Sequence, residues 1–314
     1  MTEPAMTDQR PGSYYGQPII KPPTWKNPDV PAYLFLGGLA GSSATLAALA
    51  ELTGRPRLAR AGQLAAAGAA AGGAGLLIHD LGRPARFLNM LRVLKPTSPL
   101  SMGSWLLATF GALAGAAATA TVTGLLPRAA WLPKAGAAAL GPLVMTYPAV
   151  LFADTAVPVW HEAHRELPFL FAGGALTSGA GLGLLAAPAS EAGPARLLAV
   201  AGTGLELAAE RRMTTRLGGL AEPYRQGRPA RWMRLGQLLT AAGAAGAVAG
   251  RRNRLVAAVA GSALLAGALC TRFGVFEAGL ASARDPKYTV DPQRARLAAA
   301  QSRYGHGEAA TTTP

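Results

Sequence analysis

The sequence predicts an all-α membrane protein built on eight transmembrane helices, and three observations carry that prediction. Half of the 314 residues are hydrophobic and only 15% are charged, where a soluble domain carries roughly 25%. The apolar residues are gathered into blocks of about 20, the length that crosses a bilayer. The 30 Lys and Arg residues fall between those blocks, as the positive-inside pattern requires. The net charge of +14 is therefore no mark of nucleic-acid binding, which gathers basic residues on one face or tail.

Taken in order, residues 1–30 are polar and proline-rich, without the charged-then-apolar layout of a signal peptide. They are expected to form a tail that contacts a partner, and the first apolar run is expected to be a retained span. The eight spans fall at about 32–51, 58–80, 100–126, 133–157, 167–187, 194–212, 232–250 and 254–278. The transmembrane domain is thus expected at 31–278, with an extramembrane tail at 279–314. Between spans 2 and 3, Arg83, Arg86, Asn89 and Arg92 recur every third residue, with Phe87, Leu88, Leu91 and Leu94 between them. That spacing predicts a short amphipathic helix over 83–94 lying in the membrane interface, stopped by Lys95-Pro96. The steps Gly37/Gly41, Gly68/Gly72 and Gly179/Gly183 have the small-xxx-small spacing that lets helix backbones approach closely.

An even number of spans puts both termini on one side, here called side A. Side A receives 21 of the Lys and Arg residues and the opposite side B receives 9. The excess is expected to place side A, with both termini, in the cytoplasm, and so the protein in a plasma membrane.

Charges inside spans are expensive and mark function. His79 and Asp80 close span 2 at side A. Tyr147, Asp154 and the following His161-Glu162 lie in the A half of span 4 or beyond, and Glu206 and Glu210 in that of span 6. Arg272 and Glu277 lie in the A half of span 8. The B half shows only helix-end arginines, Lys134 and Gln63. A polar pocket in one leaflet suits a lipid-soluble substrate that enters laterally and is protonated from one side. A quinone fits, because its reduction takes two electrons and two protons and needs a donor at each carbonyl; His, Tyr and carboxylates do that work. Cys270 is the single cysteine, so this chain alone builds no cysteine-ligated iron–sulfur cluster. Its four histidines lie at span ends or in polar segments, so no haem is expected either. Electrons must then arrive from a docked partner. A transporter and a purely structural anchor are the other readings of such a chain.

The segments "PAYLFLGGLAGSS" (31–43), "DLGRPARFLNMLRVLKPTSPLSMGSW" (80–105), "YPAVLFADTAVPVW" (147–160) and "FEAGLASARDPKYTVDPQR" (276–294) closely resemble the NrfD/PsrC family, across most of 24–296. These are integral membrane subunits of polysulfide, nitrite, formate and related reductases. The resemblance implies two four-helix bundles without a cofactor of their own. It also implies electron exchange between a quinone, expected to be menaquinone, and a four-cluster ferredoxin-like iron–sulfur subunit. That subunit connects in turn to a catalytic subunit, often a molybdopterin enzyme; a cytoplasmic docking face suits a formate dehydrogenase-like one. Carried over by position, the quinone pocket would comprise Asn27 and Asp29 before span 1 and Tyr147 in span 4, with His79 and Asp80 beside the same face. Tyr147 and His79 would hydrogen-bond the quinone, and Asp80, Asp154 and Glu206 would relay protons. Pro148 follows Tyr147 where many relatives have Thr-Gly, and Asn27-Pro28-Asp29 lacks a histidine that some relatives place there.

Overall fold

The computed structural model describes residues 19–294, apart from 22 and 126, together with residue 297. Most of the expected N-terminal tail and the end of the C-terminal one lie outside the described residues. The chain runs α1 (Asp29–Leu52), α2 (Pro56–Asp80), a short α3 (Arg86–Met90), α4 (Pro99–Thr123) and α5 (Trp131–Ala153). It continues with a short α6 (Pro158–Glu162), α7 (Leu167–Ala186), α8 (Gly193–Leu217), a short α9 (Glu222–Arg225), α10 (Gly227–Ala249) and α11 (Arg254–Arg284). Among the described residues all regular structure is helical, and no strand occurs.

Six of these helices are long and apolar enough to cross a membrane: α1, α2, α4, α5, α7 and α11. The other two long ones fall below that mark for a local reason. Arg196, Glu206, Glu210, Arg211, Arg212 and Arg216 lie along α8, and Arg228, Arg231 and Arg234 open α10.

The helix ends follow from their sequences. Pro56 and Pro99 occupy the first turns of α2 and α4, where a missing N–H costs nothing. The Ser98 hydroxyl caps α4 by accepting from the Ser101 N–H. Asn253 caps α11 through Leu255 and Val256, the side-chain-to-backbone bond that starts a helix. Gly124, at φ 69°, closes α4 in the left-handed conformation.

Helix α1 packs on α2 and α5, and α4 packs on α5 and α2. A second set forms where α10 lies along α11 and α7 along α8, with α11 also against α7. The sets meet chiefly through α1 and α7. At the α1–α5 crossing a Cβ on Gly41 would stand 2.5 Å from the Gly141 carbonyl oxygen, so only glycine permits this approach. The middle of the first set is an apolar cluster that includes Leu39, Ala40, Ala70, Phe110 and Val144.

Four expectations need correction. The 83–94 helix shrinks to the five residues of α3, none of them buried. Gly82 at φ 69° breaks the chain before it, and without a partner surface the three-residue repeat cannot sustain more turns. Span 4 ends earlier than 157, since α5 stops at Ala153 and Asp154 is its exposed C-cap; Pro158 starts α6 four residues on. The last helix runs on past 278 to Arg284. Finally, the glycine steps are unequal. Gly41, Gly179 and Gly183 face packed neighbours, whereas nothing lies within 4 Å of a Cβ on Gly37 or Gly68.

Candidate functional site

The A ends of α1 and α2 bring together residues that lie about fifty positions apart in the chain. Asp29 opens α1 and is buried, and its Oδ2 lies 2.6 Å from Nδ1 of His79 in the last turn of α2. An ionised carboxylate can only accept, so in this contact Nδ1 is the donor and Nε2 is the ring's second nitrogen. The His79 side chain is 72% exposed. Lys26 lies over both residues at the end of α2: its backbone N–H donates to Asp80 Oδ1 at 2.9 Å and its Nζ to the His79 carbonyl at 3.1 Å.

The approach to α1 is fixed by Trp25. Its ring stacks on Phe152 at 5.5 Å and on Trp160 at 5.6 Å, and those two stack on each other at 4.2 Å. Offset stacking of this kind stabilises beyond simple burial, and it anchors the segment from which Lys26 and Asn27 reach down. Asn27 Nδ2 donates to Glu277 Oε1 on α11 at 3.2 Å, and Arg228 pairs with the same oxygen at 3.3 Å. Asn27 therefore ties the first set of helices to the second and does not face His79.

Tyr33 lies one turn beyond Asp29 on α1, close to Gly73 of α2 and within electrostatic reach of Tyr147. Tyr147 lies on α5, where α5 runs unbroken through Pro148. Its ring occupies the space that a side chain at Gly103 of α4 would fill. Its hydroxyl is buried, approaches the Gly103 backbone and meets no hydrogen-bond partner in good geometry. An unpartnered buried hydroxyl is costly.

Two of the expected site residues lie apart from the Asp29–His79 pair. Asp154 lines a cavity of about 320 Å³ with His161, Leu220 and Tyr288 and stays within electrostatic reach of Tyr147. Glu206 is buried in the second set of helices, its backbone against Gly173. Both of its carboxylate oxygens lack a well-formed hydrogen bond, as does Nη1 of the buried Arg272. The nearby hydroxyls of Thr177 and Thr271 donate to their own helices. Arg272 also donates to the Phe171 carbonyl at 2.7 Å and lies over that ring. Sequence reading passed over Tyr33 and Trp25. The one-turn spacing of Tyr33 from Asp29 could have signalled the first, but nothing local signals a stack between residues 25, 152 and 160.

Side B departs from expectation as well, because Glu51 sits there at the end of α1. Its Oε1 accepts from Lys134 Nζ at 2.6 Å and from Gln63 Nε2 at 2.9 Å, and the Thr121 hydroxyl donates to Gln63 Oε1. Each of α1, α2, α4 and α5 thus contributes one group to a polar network opposite the His79 end.

Six helices long and apolar enough to cross a membrane define an integral membrane protein. Residues 22–193 match the family described as polysulphide reductase NrfD, and the chain belongs to that family. Its members are membrane subunits of quinone-interacting oxidoreductase complexes, as the resemblance implied. The matched stretch holds Asn27, Asp29, His79, Asp80, Tyr147 and Asp154 and ends before Glu206 and Arg272. No curated protein matches the chain.

Proposed function

We propose that the chain exchanges electrons between menaquinone and a docked four-cluster ferredoxin-like iron–sulfur subunit. The catalytic partner is a molybdopterin enzyme of formate dehydrogenase type. On this reading all eight long helices cross the bilayer as two four-helix bundles, with side A in the cytoplasm of a bacterium. The observation that carries it is the Asp29–His79 hydrogen bond at the A end, with Tyr33 and Tyr147 leading inward from it.

Reduction of the quinone to quinol adds two electrons from the docked partner and one proton at each carbonyl oxygen. Asp29 holds the His79 Nδ1–H, so Nε2 takes a proton from water at side A and delivers it to one oxygen. The Tyr147 hydroxyl donates to the other oxygen and recovers its proton through Tyr33. Asp80, held by Lys26, and Asp154 conduct protons from water to these groups, while Glu206 stands apart from the route. Run in reverse, the same groups accept protons from quinol.

The test is quinone reduction by the assembled complex carrying His79→Ala or Tyr147→Phe. Turnover should fall by about 10²-fold, the value of a positioned acid or base, with the partner subunits still bound. Wild-type turnover in both variants would overturn the assignment.

A further inference from the structure

The polar network on side B does more than neutralise itself. Glu51, Arg55, Arg60, Gln63, Thr121 and Lys134 line an open cavity of about 430 Å³ between the B ends of α1, α2, α4 and α5. Glu51 is committed to Lys134 and Gln63, so it cancels one of the three cations. Arg55 donates only to the Thr53 carbonyl, and Arg60 has neither an ion pair nor a side-chain hydrogen bond among the described residues. Arg60 therefore brings an unbalanced positive charge to the cavity, and Arg55 lines it with a guanidinium that also lies against Gly193 at the start of α8. Gln63 is itself buried, so the cavity has a fixed polar floor under its cationic wall.

The B ends of the same helices also carry an apolar rim: Leu52 of α1, Val122 of α4, Trp131 and Leu132 of α5, and Leu125 just past α4 are exposed large hydrophobic side chains. Trp at a helix end is the residue of the membrane–water boundary. A soluble anion needs the arginines and gains nothing from this rim, whereas a phospholipid uses both. We propose that the side-B cavity binds the phosphodiester headgroup of an anionic glycerophospholipid, with Arg55 and Arg60 on the phosphate oxygens and the acyl chains along the apolar rim. Guanidinium groups suit that task because their donors match pairs of phosphate oxygens. The site rests only on the chain being membrane-embedded, and is independent of quinone chemistry at the other end.

The test titrates phosphatidylglycerol against the delipidated full-length protein and reads bound lipid by native mass spectrometry, with phosphatidylcholine and inorganic phosphate as separate arms. Each cation near a membrane surface is worth about fivefold in binding, so Arg55→Gln/Arg60→Gln should weaken phosphatidylglycerol about 25-fold. Arg251→Gln/Arg252→Gln, two charges removed outside the cavity, should leave it unchanged. Phosphatidylcholine should bind more weakly than phosphatidylglycerol to the wild type. Arg60→Gln alone, at an exposed position, gives a fivefold reading if the double variant does not fold. Equal weakening by the two double variants would make the effect a general surface charge and overturn the site, as would no weakening by either. Inorganic phosphate binding as tightly as the lipid would overturn the lipid assignment.

Discussion

At the scale of single residues, the contact between Tyr147 and Gly103 is an exacting one. A methyl group at Gly103 would collide with the ring, so Gly103→Ala should push the hydroxyl out of line. Misplacement of about 1 Å can cost about 10²-fold, and quinone turnover by the complex should fall on that order while its assembly persists. Tyr33→Phe removes one hydrogen-bonding group and should lower turnover about fivefold, the value of one net hydrogen bond near 1 kcal/mol. Wild-type rates in Tyr33→Phe would remove it from the proton route. His79, Asp80 and Tyr147 could be picked out from the sequence because a polar residue in an apolar run stands out by itself. Trp25 could not, since an aromatic residue at a span's edge is ordinary there and only the fold supplies its neighbours, and Tyr33 was signalled only by its one-turn spacing from Asp29. Glu51 was missed for a similar reason, because two residues from a loop it reads as a helix end.

Among the elements, α7 and α8 are locked at side A by a buried carboxylate. Glu166, directly before α7, accepts from Arg216 Nε at 2.8 Å and Nη2 at 2.7 Å, while Arg212 stands at 3.7 Å. The Arg216 hydrogen bonds outweigh burial and hold the Glu166 carboxyl below the usual carboxylate range. A depressed pKa gives stability that is present above the unfolded value of about 4.3 and lost as pH falls through the lower folded value. Glu166→Gln should therefore cost about 3 kcal/mol near neutral pH, as removal of one partner from a buried pair does. The gap between variant and wild type in thermal unfolding should hold from about pH 8 to pH 5 and close below about pH 4; a gap that widens in acid would refute it. The short α3 teaches the complementary lesson. Three-residue periodicity names a face, but a face folds only against something, and α3 has no buried residue.

For the whole molecule, eight crossings require α8 and α10 to span the bilayer. Their 25 and 23 residues span about 37 and 35 Å at 1.5 Å per residue, enough for a hydrocarbon core of about 30 Å. Cys270 is buried, so in a Cys270→Ala background single introduced cysteines report topology cleanly. Ser190→Cys and Arg251→Cys should label from one side, and Gly219→Cys, between α8 and α10, from the other together with Arg83→Cys. Labelling of Gly219→Cys from the same side as Ser190→Cys would reduce the protein to six crossings. The long helices themselves were legible in the sequence, because each needs only a run of apolar residues between turn signals. Their grouping was not, because it depends on approaches such as Gly41 to Gly141 that join residues a hundred positions apart.

The apolar cluster of Leu39, Ala40, Ala70, Phe110 and Val144 separates the two polar ends of the first set of helices, and this bears on energy conversion. It forms an apolar layer between the end beside His79, where a proton is taken up, and the polar network on side B. If electrons and protons both reach the quinone from side A, turnover in this half of the protein is electroneutral. An imposed membrane voltage should then leave its rate unchanged.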